Sequence, residues 1–158
     1  MVKWWADGSH GVHPDMHGQS GESMSMGKGT ILSGSSKQKI NTNSLTKTEL
    51  VAAHDAMPRL PWTNNFLEAQ GYQTSGTILN QDNQSTIHME NNGCRSSMKR
   101  TRHMNIHYFF ITNRINTGNL RVQFCPTLEM IADFFTKPLQ GKLFIKFCDL
   151  IMGHNNGD

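Results

Sequence analysis

The strongest constraint on how this chain folds is the order of its periodic segments: strand-like stretches come first, and helical and strand-like patterns alternate afterwards. Lys3-Trp4-Trp5-Ala6 reads as a short strand ending at Asp7-Gly8. Glu22 to Met26 and Thr30 to Ser33 read as a hairpin around Gly27-Lys28-Gly29, because glycine supplies the positive φ that tight connections need. Thr46-Lys47-Thr48-Glu49 has capping-box spacing and opens a helix through Leu50 to about Met57. Pro58 and Pro61 interrupt it, Trp62 to Ala69 resumes it, and Gly71 stops it. Gly76 to Gln81 reads as a strand, and Asp82-Asn83-Gln84-Ser85 as the start of a short helix. Between Lys99 and Ile115, Met104, Tyr108, Ile111 and Ile115 form one apolar helical stripe. Leu120, Val122 and Phe124 then alternate with Arg121 and Gln123 as a half-buried strand does. Glu129 to Phe135 reads as helical up to Pro138, and Leu143, Phe147 and Leu150 mark a last amphipathic helix. A hairpin opening followed by alternation predicts an α/β layer with a central mixed sheet, not a bundle or a sandwich.

At 158 residues the chain is sized for one domain around one core. Residues 1–20 are too polar for a secretory signal, and apolar runs such as Tyr108-Phe109-Phe110-Ile111 are far below the ~20 residues of a membrane span, so the expectation is a soluble, intracellular protein with no targeting signal and no membrane partner. Cys94, Cys125 and Cys148 are odd in number and widely spaced, which suits thiols in a reducing compartment and suggests neither a disulfide framework nor a cysteine zinc site.

Four of the 12 acidic residues stand at predicted element ends: Asp7, Glu49, Asp82 and Asp133. Each has an ordinary role open to it: a turn before Gly8, the capping-box partner of Thr46, an N-cap and a solvated helical acid. Taken together they admit another reading, since strand ends and the helices packed on them can converge at one sheet edge. Converged carboxylates repel one another unless cations neutralise them, and oxygen-only ligands favour Mg²⁺ or Mn²⁺. A pair of such ions ~3.5–4 Å apart can activate water and stabilise the leaving oxygen of a phosphodiester.

The formal net charge of +3 excludes a uniformly basic coat, yet its distribution is uneven. Between Asn91 and Leu128 there is no acid, while Arg95, Lys99, Arg100, Arg102, Arg114 and Arg121 are all positive. A basic face carrying His103 and His107 suits phosphate contacts, and a solvated basic helix face is the alternative. His103 and His107 are spaced as metal ligands on a helix but lack the glutamate of H-E-x-x-H, and Gly27-Lys28-Gly29 lacks P-loop spacing.

Asp7-Gly8-Ser9, Ser35-Ser36-Lys37-Gln38-Lys39, Thr46-x-x-Glu49, Asp82-Asn83-Gln84-Ser85, Lys99-Arg100-Thr101-Arg102-His103 and Ala132-Asp133-Phe134-Phe135-Thr136-Lys137-Pro138-Leu139 together resemble the ribonuclease H domain at the C-terminus of copia-type retrotransposon polyproteins. The resemblance runs from about Trp4 to Gly153. It implies a ribonuclease H-like α/β fold, a five-stranded mixed sheet flanked by helices, over residues 1–139, with a C-terminal helix at 140–153 packed on it and a tail at 154–158. It also implies metal-dependent hydrolysis of the RNA strand of RNA/DNA hybrids with two Mg²⁺ ions, Mn²⁺ being able to substitute. The catalytic and metal-binding carboxylates would be Asp7, Glu49, Asp82 and Asp133. Lys99, Arg100, Arg102, His103 and Arg114 would grip the hybrid backbone. The partners implied are the hybrid and the reverse transcriptase domain of the same polyprotein, in cytoplasmic particles or the nucleus.

The sequence departs from the family pattern in three places. Lys47 replaces an acid beside Glu49 and is expected to compete with a metal, Glu22 stands where the family tends to have glycine, and Met98 where it often has histidine. With only six residues before Asp7, the first strand is expected to be short of ladder bonds, and a non-catalytic nucleic-acid-binding remnant of a decayed element is the alternative reading.

Overall fold

The computed structural model describes residues 1–92 and 110–154. Strands β1 (Val2–Ser9), β2 (Gln19–Ser25), β3 (Thr30–Lys37), β4 (Thr77–Gln81) and β5 (Leu120–Phe124) form one sheet in the order β3-β2-β1-β4-β5. The first three are antiparallel, whereas β1, β4 and β5 run parallel. Helices α1 (Leu45–Ala56) and α2 (Arg59–Ala69) join β3 to β4, and α3 (Gln84–Asn92) follows β4. Residues 110–116 are helical and are called α4 here, and α5 (Gly141–Met152) closes the fold.

β1 is the central strand, its face carrying Val2, Trp4, Ala6 and Gly8 all buried, while on the other face Asp7 is buried, Trp5 and Ser9 are half-buried and Lys3 is exposed. Val2, Trp4 and Ala6 point into the main core with Leu50, Val51, Ala53, Leu79, Ile111 and Leu120. Trp5, on the other face, packs on Cys125, Met130 and Ala132. The expected shortage of ladder bonds is not seen in the strand. β1 pairs with β2 from Lys3↔Ser25 to Ser9↔Gln19 and with β4 from Val2↔Thr77 to Trp5↔Asn80.

Several local expectations are corrected. The hairpin strands extend beyond Glu22 to Met26 and Thr30 to Ser33, because serine and glycine carry little strand signal but pair once the ladder is running. Gly27 and Gly29 have no positive φ; the turn is instead tied by the Ser25 hydroxyl, which donates to the Gly29 carbonyl at 2.6 Å. The N-cap of α1 is Ser44, whose side chain accepts from the Lys47 amide, so Thr46 and Glu49 form no capping box. Pro61 lies within the first turn of α2, where a missing N–H costs no helical bond.

The stretch from Glu129 to Phe135 is not an α-helix. It consists of two 3₁₀ turns, Thr127–Glu129 and Ile131–Phe135, separated by Met130 at ψ 85°. The second turn lies against β1 and β2 and supports α5. Phe147 of α5 is fully buried, and Phe144 stacks on Phe134 at 5.3 Å. No helix among the described residues is long and apolar enough to cross a membrane.

Candidate active site

The parallel strands bring their C-terminal ends to one edge of the sheet, and three aspartates meet there. One carboxylate oxygen from each of Asp7, Asp82 and Asp133 lies within 4.8 Å of the others. Asp7 is near the end of β1, Asp82 directly follows β4, and Asp133 sits in the 3₁₀ turn after β5. Asp7 and Asp133 are buried, while Asp82 is half-buried. Asp82 is free of the capping role because Asn83 takes it, accepting from the amides of Ser85 and Thr86 at 3.0 and 3.2 Å.

Glu49 reaches this edge from the first turns of α1. Its Oε2 accepts the Gly8 amide at 3.0 Å, and the side chain is buried. That contact requires α1 to press on β1 at Gly8, where a Cβ would meet the Thr48 carbonyl oxygen at 2.6 Å. Gly21 plays the corresponding part for the 3₁₀ turn: it pairs with Asp7, and a Cβ there would meet the Ala132 carbonyl oxygen at 2.8 Å. Two residues of that turn's exit complete the cluster. The Thr136 hydroxyl donates to Asp7 Oδ2, and Lys137 Nζ donates to Asp133 Oδ1 at 2.7 Å and to Asp7 Oδ1 at 3.4 Å.

Burial, with neighbouring negative charge behind it, raises the titration of Glu49, Asp82 and Asp133. Burial, reinforced by Asp7 and Asp82, pushes the Glu49 carboxyl up to about 10. Burial and Asp7 also raise Asp82. Asp133 is pushed up to about 6 by burial, with the Lys137 hydrogen bond opposing. For Lys137 burial works against the charge, but Asp7, Asp133 and Asp82 together hold the ammonium above the usual lysine value. Such a set of oxygen donors, short of positive charge, fits a hard divalent cation. Beside it a cleft of about 360 Å³ opens between Gly8, Glu49, Asp82, Asn83 and Lys137.

The four acids singled out in the sequence therefore meet at one edge. Lys47 is not among them: its Nζ donates to Asn43 Oδ1 at 2.7 Å. Glu22 is answered by an ion pair with Arg59. Lys99, Arg100, Arg102, His103 and Met98 lie outside the described residues. Arg114 is on α4, stacked over Phe110 at 5.3 Å, and lines a separate cleft of about 620 Å³ with Trp62 and Leu120, at the end of β4 and β5 away from the carboxylates. Lys137 and Thr136 were missed as site residues. The i, i+4 spacing of Asp133 and Lys137 was the available signal.

No family model matches the chain. The retrovirus-related Pol polyprotein of the Nicotiana tabacum transposon TNT 1-94 is 28% identical over 128 residues, which is 81% of this chain and 10% of that protein. The Pol polyprotein of the Arabidopsis thaliana transposon RE2 is 32% identical over 114 residues, 72% of this chain and 8% of that protein. The chain thus spans about a tenth of the length of these relatives. Among solved structures, LC11-RNase H1 from a compost metagenome superposes with a TM-score of 0.64 at 16% identity, covering 85% of this chain and 91% of that one. The same protein in complex with an RNA/DNA hybrid gives a TM-score of 0.58 at 15% identity, covering 86% and 94%. The prototype foamy virus protease-reverse transcriptase gives 0.56 at 10% identity, covering 99% of this chain and 20% of that one. These likenesses establish the fold as that of ribonuclease H, and with the transposon relatives beside it the chain belongs to the retrotransposon Pol polyproteins as a ribonuclease H-fold domain of that family.

Proposed function

We propose that this domain hydrolyses the RNA strand of RNA/DNA hybrids in a metal-dependent reaction, with Asp7, Glu49, Asp82 and Asp133 as its catalytic and metal-binding carboxylates. The observation that carries this reading is the convergence of three aspartates, 75 and 51 positions apart in the chain, to within 4.8 Å at one sheet edge. Mg²⁺ in two copies, or Mn²⁺, suits an all-oxygen donor set. When bound, such ions supply the positive charge that makes water nucleophilic at neutral pH and stabilises a departing 3′ oxygen.

The protein's own part is positioning. Thr136 fixes the Asp7 carboxylate, and the Gly8 amide holds Glu49 at the cleft. Lys99, Arg100, Arg102 and His103 are assigned to phosphate contacts, which orient a nucleic acid without reading its sequence, whereas Arg114 lines the cleft at the opposite end of β4 and β5. Hybrid as the substrate is supported by the hybrid-bound compost protein, and a reverse transcriptase domain as covalent partner by the foamy virus protein.

Incubation of the folded chain with end-labelled hybrid and Mg²⁺ or Mn²⁺ tests the proposal. Cleavage confined to the RNA strand and reduced about a hundredfold or more by Asp82→Asn is expected, since a lost metal ligand removes several kcal/mol of transition-state stabilisation. Salt-dependent hybrid binding without turnover, or cleavage indifferent to Asp82→Asn, would overturn it.

A further inference from the structure

Lys137 does more in this cluster than balance charge. Its Nζ is bonded to Oδ1 of both Asp7 and Asp133, and its backbone amide donates to the Asp133 carbonyl at 2.9 Å, so the lysine is anchored on the residue it neutralises. No cation among the described residues is hydrogen-bonded to the other end of the cluster, where Asp82 accepts from the Thr127 hydroxyl at 3.4 Å and Glu49 from the Gly8 amide. The two ends share Asp7 but differ in contact: the ammonium is hydrogen-bonded to Asp7 and Asp133, whereas Glu49 and Asp82 feel its charge without a hydrogen bond to it.

A divalent ion binds carboxylate oxygens at about 2.0–2.1 Å for Mg²⁺, against about 2.7–2.9 Å for an ammonium. Both would draw on the same Oδ1 atoms at the Asp7–Asp133 end, and like charges held that close repel. The Lys137 side chain is 37% exposed, so it has a path out to solvent that a fully buried lysine lacks.

Building on the metal-site reading above, we propose that Lys137 is a resident cation that makes the site fill in sequence. The first divalent ion enters at the Asp7, Asp82 and Glu49 end. The second reaches the Asp7–Asp133 end only by displacing the ammonium. Lys137 is a positioning residue in this scheme, and it sets the concentration at which the second ion enters.

The experiment is a Mn²⁺ titration of the full chain, followed by the electron paramagnetic resonance signal of free Mn²⁺. The wild type should show one site and a second at least about tenfold weaker, a coupling of ordinary size. In Lys137→Met the second site should tighten about tenfold or more while the first stays within about threefold, and Lys137→Arg should keep the second site weak. A measurement on the wild type alone guards against a variant that does not fold: the Lys137 ¹³Cε resonance should move with the second equivalent of Mg²⁺ and not with the first. Equal second-site affinity in wild type and Lys137→Met, or a Lys137 resonance that moves with the first equivalent, would overturn the sequential scheme and leave the metal site standing. A folded wild type that binds no Mn²⁺ would overturn both.

Discussion

A Cβ on Gly8 would meet the Thr48 carbonyl oxygen at 2.6 Å and the Glu49 amide nitrogen at 2.9 Å, and both are backbone atoms of a helix packed on the sheet. Neither can move aside without shifting α1, so Gly8→Ala should cost about 1–3 kcal/mol, the usual range for overpacking a tight contact. The urea midpoint of the variant should fall accordingly, and a midpoint equal to that of the wild type would show that α1 is not seated where the structure has it. The same contact explains why Glu49 was legible in the sequence for partly the wrong reason. Its spacing from Thr46 suggests a cap, but the cap is Ser44, and Glu49 is turned to the sheet by its place on the face that carries buried Ala52, Ala53 and Ala56. Asp82 was legible in a similar way, as an N-terminal helix signal whose capping is in fact done by Asn83. Thr136 belongs to the site through a bond to Asp7, about 130 positions away, and a local pattern carries no record of that, whereas Lys137 also bonds Asp133 at i, i+4 spacing.

At the level of elements, α3 is the least ordinary. Its inward face is formed by Thr86 and Glu90, and Glu90 is fully buried with no partner for either carboxylate oxygen among the described residues. Burial pushes its carboxyl up to about 8. The sign of the pH effect follows. Below the ordinary value of 4.5 both folded and unfolded chains hold the proton; between 4.5 and about 8 only the folded chain does, so stability falls as pH rises and levels off above 8. This group alone contributes a slope of at most about 1.4 kcal/mol per pH unit. Glu90→Gln should therefore raise the thermal midpoint at pH 7.5, do little at pH 4, and flatten the profile between them. An unchanged profile would mean that the carboxyl is ionised or solvated in the folded state. Sequence reading succeeded where elements announce themselves by periodicity, as in β5 and α5. It fell short in the serine and glycine ends of β2 and β3, where pairing is imposed by the neighbouring strand. It also failed over Glu129 to Phe135, where helical composition is overridden by Met130 at ψ 85° between two turns too short for an α-helix.

For the whole molecule, the carboxylate edge is where pieces of the chain from residue 7 to residue 137 are held against mutual repulsion. Raised titration of Glu49, Asp82 and Asp133 reflects their burial first and that repulsion second, and of the described lysines and arginines Lys137 alone is hydrogen-bonded within the aspartate cluster. An unfolded chain scatters these acids and offers no comparable site, so a divalent ion that binds the native cluster must stabilise the fold by mass action. At a free concentration about a hundred times its dissociation constant, the gain is about 2.7 kcal/mol. For a domain of 150–250 residues each kcal/mol raises the thermal midpoint by about 2–4 °C, so an increase of about 5–11 °C is expected on adding Mg²⁺ or Mn²⁺, reversed by chelation. Removing one ligand separates this effect from general salt screening: Asp82→Asn should keep the fold, since Asp82 is half-buried and bonded only weakly to Thr127, but should lose most of the metal-dependent increment. An equal increment in the variant, or the same rise with Na⁺ at matched ionic strength, would place the effect in charge screening and not in the aspartate cluster.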